Sequence, residues 1–538
     1  MKRNCYAVCA FAAATLLTVT GCSGKKTVSG TGSSIKEITI AEDSQDGSLD
    51  PAGFALASWV SFSKLCSVPL LSYDKSGTEI MEAAESYTVS DDNLTWTFKL
   101  RPEGKWSDGS QVTAGDFINT VRRALDPSNS NSIYGEQLYV IAGAEAAGSG
   151  KGSLENVGVS APDDLTLVFH LTAPCPYFKK LLALPVYYPS KAGVATAANQ
   201  NWYKDPSTCL CNGAYKLAEF IQDQSITVEK NPYYYNKDKV LIEKIKIQYI
   251  SDSQARIAAY ESGEVNVVTG LPDYIETKYA GKPDLSIWHM LTTTALLPNE
   301  KVKPLDDVRV RQALALALNR TDICTAMGKN YEPSYSWVPK YMMSNSGSSY
   351  YSDERPAPYT EDTVKAQQLL AAAGFPGGKG FPVLTYIYPG NDKDAILAQA
   401  VQAQLKKNLG IDIKLQAQEQ QVYNATRRDR TFELLRFGWT ADFNDPINYL
   451  SLFTSDSSLN WGNVNDSAYD ELISKTNNDM IPSGRNEDLH KASDLLLRDK
   501  CYIIPIETMH YIGLRTPSIT GITYNDKDEA YYRFADIK

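Results

Sequence analysis

The spacing of hydrophobic positions changes along the chain. Leu94-Thr95-Trp96-Thr97-Phe98-Lys99-Leu100 alternates every second residue, and Leu165 to Leu171 does so less cleanly, which predicts two half-buried strands. Ile35 to Ile40 reads as a further short strand ahead of the turn-rich stretch Asp43 to Asp50. Beyond these the period becomes helical. Asp306 and Asp307 precede Val310, Ala313, Leu314, Ala317 and Leu318, so acids sit at the favoured amino-terminal end of a helix. Thr360 is placed to cap a second helix through Leu369 and Leu370 that stops at Gly374, and Asp394 to Asn408 forms a third, closed by Gly410. Ile411, Ile413 and Leu415 then alternate as a strand, and Phe432 to Phe437 gives another. Strands and helices interleaved in this way predict α/β lobes built on mixed sheets flanked by helices. There is no internal repeat, and Ser344 to Ser349 reads as a Gly/Ser-rich surface loop.

The amino terminus follows a different rule. Lys2 and Arg3 precede an uncharged apolar run, Tyr6 to Thr20, which falls short of the roughly 20 residues a spanning helix needs. It reads as a secretory signal over residues 1–21. The run ends in Val19-Thr20-Gly21-Cys22, the small-residue pattern of a lipobox, so Cys22 is expected to be diacylated and residues 22–34 to form a polar tether. The rest of the chain has no second run long enough to span, so a soluble body anchored at the extracytoplasmic face of a membrane is expected.

Composition narrows the function classes. With 43% hydrophobic and 22% charged residues the chain is globular, and a net charge of -10 leaves no basic surplus for binding phosphates, which argues against nucleic acid. Beyond the leader, Cys66, Cys175, Cys209, Cys211, Cys324 and Cys501 make an even number whose pairing sequence does not choose, and buried free thiols are preferred. Cys209-Leu210-Cys211 is a poor metal pair, with no second Cys or His pair at ligand spacing, so neither a metal nor a cofactor is expected. Catalytic chemistry is hard to find. The four histidines form no H-E-x-x-H, no G-x-S-x-G is present, and the lysines of Gly148-Ser149-Gly150-Lys151-Gly152 and Gly378-Lys379-Gly380 lack the following Ser or Thr of a P-loop. The pair Asp442 and Asp445 has the chemistry for acid/base work but the spacing of a cap or turn.

Several segments together resemble one family. Trp106-Ser107-Asp108-Gly109-Ser110-Gln111-Val112-Thr113-Ala114-Gly115-Asp116-Phe117 is similar to the signature of peptide/nickel-type solute-binding proteins. Ser48-Leu49-Asp50-Pro51, Asn212-Gly213-Ala214-Tyr215, Glu229-Lys230-Asn231-Pro232-Tyr233-Tyr234, Tyr260 to Val265, Asp307 to Leu314 and Ala366 to Phe375 occur in the family's order. The resemblance implies a two-lobed periplasmic-binding-protein-like fold (type II, cluster C) with an extra subdomain. Its expected limits are residues 35–68, 206–298 and 502–538 for a discontinuous first lobe, 69–205 for the subdomain and 299–501 for the second lobe. It also implies a monomeric, non-enzymatic receptor. Such a receptor closes on short peptides and passes them to an ABC permease with its ATPase subunits.

Arg436-Phe437-Gly438-Trp439-Thr440-Ala441-Asp442-Phe443-Asn444-Asp445-Pro446 resembles the binding segment of oligopeptide-binding members. The resemblance makes Asp442 the partner of a peptide's amino terminus. It puts Trp439 in the same segment, has Gly438 and Thr440 offer main-chain groups to an added strand, and sets Arg436 and Arg427 near carboxylates. The alternative for these residues is that Asp442 caps the helix starting near Asp445-Pro446 and Arg436 is a solvated strand residue. Gln420 stands where relatives carry tryptophan, Asp394 where a histidine meets the carboxylate of longer peptides, and Thr292 and Thr440 where a cysteine pair occurs. A less aromatic, more negative pocket follows, which favours ligands with basic side chains. The same fold also hosts receptors for nickel chelates, haem, sugars and signalling peptides. A surface hydrolase and an adhesive lipoprotein are the rivals of other classes.

Overall fold

Two long strands, Leu285–Pro298 and Ile504–Arg515, run antiparallel through the middle of the main sheet and carry it from one half of the body to the other. In the computed structural model, which describes residues 36–44, 50–53, 62–129, 135–196, 198–344 and 349–538, that sheet has eleven strands. The leader, Cys22, the tether, Ser48-Leu49 and the middle of the Ser344 to Ser349 loop lie outside the described residues.

On one side of the long pair the order is Val267–Val268, Glu37–Glu42, Lys244–Tyr249, Ser225–Lys230 and Tyr215–Ile221, with Glu37–Glu42 parallel to Lys244–Tyr249. On the other side come Leu434–Thr440, Leu384–Pro389 and Ile413–Gln418, the last two parallel to each other. Tyr331–Pro333 lies along Ile504–Arg515 as an eleventh, short strand. The register of the long pair shifts between His289 and Thr293, where the two halves meet. A bulge there bends and twists the pair.

A separate antiparallel sheet holds Ala84–Val89, Thr95–Leu100, Thr166–His170 and Val159–Asp163. Its apolar face sets Phe98 on Phe169, Trp96 and Phe169 on Phe178, and Phe169 on Tyr187 in edge-to-face contacts. The Trp106 to Phe117 signature is structural. Thr113 and Asp116 form the capping box of helix Ala114–Leu125, and the Trp106 indole N–H donates to Asp116 Oδ2 at 2.9 Å.

Helices Val308–Leu316, Thr363–Ala372 and Asp392–Leu409 pack an apolar stripe of Val310, Leu314, Leu370, Leu397, Val401 and Leu405 onto the second half of the sheet. Their starts differ slightly from the periodicity. Asp362, not Thr360, caps the second, because its carboxylate accepts the Lys365 N–H at 2.9 Å. Asn391 caps the third two residues earlier than expected. Gly410 ends it at φ +72, where a Cβ would lie 2.5 Å from the Gly377 carbonyl. The six described cysteines are all buried and unpaired.

Candidate functional site

Strand Leu434–Thr440 pairs along its whole length with Leu285–Pro298, but on its other edge it meets Leu384–Pro389 only at Leu434 and Leu435. Among the described residues no strand covers that edge from Arg436 onward. The direction of its main-chain groups follows from two hydrogen bonds. Asn299 N–H donates to Glu433 O at 3.0 Å and Ala441 N–H to Leu291 O at 2.8 Å, so odd-numbered residues turn towards Leu285–Pro298. Arg436, Gly438 and Thr440 therefore turn theirs to the open edge. The Tyr423 hydroxyl, which donates to Arg436 O, closes that edge at one end.

The other end is the turn holding Asp442, which is 5% exposed. Its N–H donates to Asn448 Oδ1 at 3.1 Å, and that same oxygen accepts the Trp439 indole N–H at 3.0 Å. Longer contacts reach its Oδ2 from Asn448 Nδ2 (3.4 Å) and Gln137 Nε2 (3.5 Å), while Lys527 Nζ donates to its carbonyl at 3.0 Å. A cavity of about 50 Å³ beside it is lined by Lys64, Lys180, Asn444, Lys527 and Glu529. That volume holds a water or two, so a ligand of any size enters only if the walls part. A larger cavity, about 600 Å³, near Thr172, Tyr177, Asp456 and Asp470 has acids but no base in its lining.

Asp445 does the capping. Its Oδ1 accepts the Ile447 N–H at 2.9 Å, and Arg485 grips both its oxygens at 2.9 Å with both side chains buried. Asp442 is thereby free of that structural task.

Arg436 and Asp394 meet each other. Arg436 Nε lies 2.8 Å from Asp394 Oδ1, a close ion pair whose atoms are not aligned as a hydrogen bond, and Arg436 Nη2 donates to Thr294 Oγ1 at 3.2 Å. Burial works against the Arg436 charge, but Asp394 outweighs it and holds the guanidinium above its usual value. Gly438 makes room for this fold-over, since a Cβ there would sit 2.9 Å from Arg436 Nη1. Asn391 fixes Asp394 from the helix cap, its Nδ2 donating to Oδ2 at 2.8 Å. Arg436 is thus largely covered and paired rather than solvated. The negative charge expected from Asp394 is balanced internally, which removes the ground for a preference for basic ligands.

Arg427 differs. On helix Gln420–Arg428 its guanidinium lies 4.0 Å above the Trp461 ring, and its buried Nε has no hydrogen-bond partner. Among the described residues no acid forms an ion pair with it. Burial pushes its pKa down, as expected for a cation lacking a carboxylate. Gln420 is exposed on the first turn of the same helix, with Nε2 donating to Asn424 Oδ1 at 3.0 Å. Thr292 and Thr440 face each other in register with their hydroxyls 2.9 Å apart.

The structure thus gathers Gly438, Trp439, Thr440 and Asp442 on one strand and turn, joins Arg436 to Asp394, and sets Arg427 at the Tyr423 end. Gln420 touches none of these. Sequence reasoning missed Gln137, Asn448, Glu507 and Lys527. Glu507, opposite Thr294 in register and fully buried, is pushed up by burial and places a second acid near Arg436. Only Lys527 left a trace, in the charged run Asp526 to Glu529.

The model of the bacterial extracellular solute-binding proteins, family 5, matches residues 80–461. The chain is 33% identical over 473 residues to the periplasmic oligopeptide-binding protein OppA of Salmonella typhimurium, covering 86% of this chain and 85% of that one. It is 32% identical over 479 residues to the oligopeptide-binding protein OppA of Bacillus subtilis, with 85% and 84% covered. Among solved structures, OppA of Haemophilus influenzae in complex with RPPGFSPFR aligns with TM-score 0.74 and 28% identity over 94% of this chain and 99% of that one. The murein tripeptide binding protein MppA of Escherichia coli aligns with TM-score 0.77 and 27% identity over 94% and 99%.

Proposed function

This chain belongs to the bacterial extracellular solute-binding proteins of family 5, and from that premise we propose that its cargo is a short peptide. The observation that carries the reading is the open edge of strand Leu434–Thr440, with the buried Asp442 at one end and, at the other, the half-buried Arg427, with which no acid among the described residues forms an ion pair. A peptide is a zwitterion with a repeating main chain. Gly438 and Thr440 offer it strand pairing that does not depend on side-chain identity. Asp442 receives the ammonium and Arg427 the carboxylate, each in a site where an uncompensated charge would cost several kcal/mol. Arg436 keeps its partner Asp394 and shapes the floor between them.

Delivery completes the reading. Residues 35–68, 206–298 and 502–538 form one lobe with 69–205 as its subdomain, and 299–501 form the other. The lobes part to admit the peptide and close over it, and the closed form docks on an ABC permease whose ATPase subunits do the chemical work. The receptor acts as a monomer held to the outer face by lipid on Cys22, and it leaves its ligand chemically unchanged.

Calorimetric titration with a short peptide and its N-acetylated twin tests the site. Acetylation removes the ammonium and is expected to weaken binding about 10- to 100-fold, the worth of a charged hydrogen bond. In Asp442→Ala both peptides are expected to bind equally weakly. An acetylated peptide that binds the unaltered protein as well as the free one overturns the assignment.

A further inference from the structure

Away from the peptide edge, the sheet brings two of the four histidines together. His289 and His510 are direct cross-strand partners on the two long strands, so their side chains leave the same face. Glu332, on the short strand along the far edge of Ile504–Arg515, is opposite Thr508, two residues from His510 and therefore on that face too. One donor atom from each lies within 4.8 Å of the other two.

The unused atoms point to a ligand. His289 Nδ1 and His510 Nδ1 are both buried with no hydrogen-bond partner, and the His510 side chain is 9% exposed. His510 Nδ1 lies 4.0 Å from Glu332 Oε1, while its other nitrogen, Nε2, is 3.2 Å from Glu276 Oε2. A carboxylate on the far nitrogen fixes the ring and directs the near nitrogen at an ion, the usual support of a metal-bound histidine. Lys340 Nζ holds Glu332 Oε2 at 3.0 Å, and Oε1, which accepts the Tyr341 hydroxyl at 3.4 Å, lies 4.0 Å from His510 Nδ1. The Tyr341 ring packs on His289 at 4.0 Å between centroids and walls the site.

We propose that His289, His510 and Glu332 bind a divalent transition metal of the zinc kind on the strands that link the two halves of the main sheet. Two imidazoles and one carboxylate suit Zn²⁺, Ni²⁺ or Cu²⁺ and leave a fourth position open. Mg²⁺ and Ca²⁺, which ask for six or more oxygens, do not fit. Bonds of about 2.0–2.2 Å require the donors to draw together by small side-chain rotations. The ion ties the long strands where their register breaks. It also sits beside the carboxyl-terminal turn of the peptide site, because His289 N–H donates to Asp528 Oδ2 at 3.3 Å, next to Lys527.

Calorimetry with Zn²⁺ and visible spectra with Co²⁺ test this on the purified chain, prepared without a polyhistidine tag. One equivalent is expected to bind, with a tetrahedral or five-coordinate Co²⁺ spectrum and no competition from excess Mg²⁺. His289→Ala, on a half-exposed side chain, and Glu332→Gln, which keeps the shape, are each expected to lose that equivalent while retaining the native circular dichroism. Glu276→Gln is expected to weaken it about 10- to 100-fold. The proposal falls if neither metal binds stoichiometrically, or if folded His289→Ala and Glu332→Gln bind as the unaltered chain does. The cluster is then a pair of histidines in edge-to-face contact beside two glutamates.

Discussion

Asp442 and Asp445 stand three residues apart and do opposite work. Asp445 is gripped by Arg485 through two bonds of 2.9 Å in a site closed to water. Removing one member of such a pair leaves the other as an uncompensated buried charge. Arg485→Met is therefore expected to lower stability by about 3–5 kcal/mol, seen as a fall in the urea midpoint. The sequence marked both carboxylates and left open whether Asp442 caps the following helix or meets a ligand. The positions decide it: Asp445 lies two residues before the N–H it accepts, and Asp442 lies inside the preceding turn. The pairing of Arg436 with Asp394 was not legible. Each residue stood in a recognisable segment, but their meeting depends on a helix crossing a strand.

At the scale of elements, alternation and end signals located most strands and helices, and their ends moved by a few residues. Strand Leu434–Thr440 runs three residues past the expected Phe437. Its tail, Gly438-Trp439-Thr440, has no apolar alternation, and among the described residues no strand covers its outer edge. Register along this strand gives a test. Thr292 and Thr440 form a non-hydrogen-bonded pair, whose Cα atoms in antiparallel sheets are about 4.5 Å apart, within disulfide range. Thr292→Cys with Thr440→Cys is expected to lose two titratable thiols on oxidation and gain about 2–4 kcal/mol. Two thiols that stay reactive in the oxidised protein contradict the register.

The carboxyl-terminal turn gives a second test. Burial alone would raise Glu529, but Lys527, at 3.2 Å, and Lys64, at 3.3 Å, hold it down to about 2 from an unfolded value of 4.5. Burial also pushes Lys64 down, so the cluster bears some cost on its cationic side. A carboxyl lowered in this way stabilises the fold above pH 4.5, and the contribution is lost as pH falls from there towards 2. Glu529→Gln is expected to lose on the order of 2 kcal/mol at neutral pH and to flatten stability against pH across that window. Urea unfolding at a series of pH values checks it.

For the whole molecule, the two long strands carry one sheet through both halves of the body. They are continuous through the middle, and their register shifts twice, between His289 and Thr293 and between Thr294 and Ala295. The small cavity at Asp442 fits a molecule whose walls have come together. The α/β class and the family were both readable from segments whose role turned out to be packing, such as Trp106 to Phe117. The acid and base ends of the site were readable only through resemblance.

The proposed cargo is a short peptide. The direct measurement is mass spectrometry of whatever the folded protein, purified without added ligand, releases on gentle denaturation. A ladder of short peptides of mixed composition is the expected result. A single non-peptide compound, released in stoichiometric amount, would keep the fold and contradict the cargo.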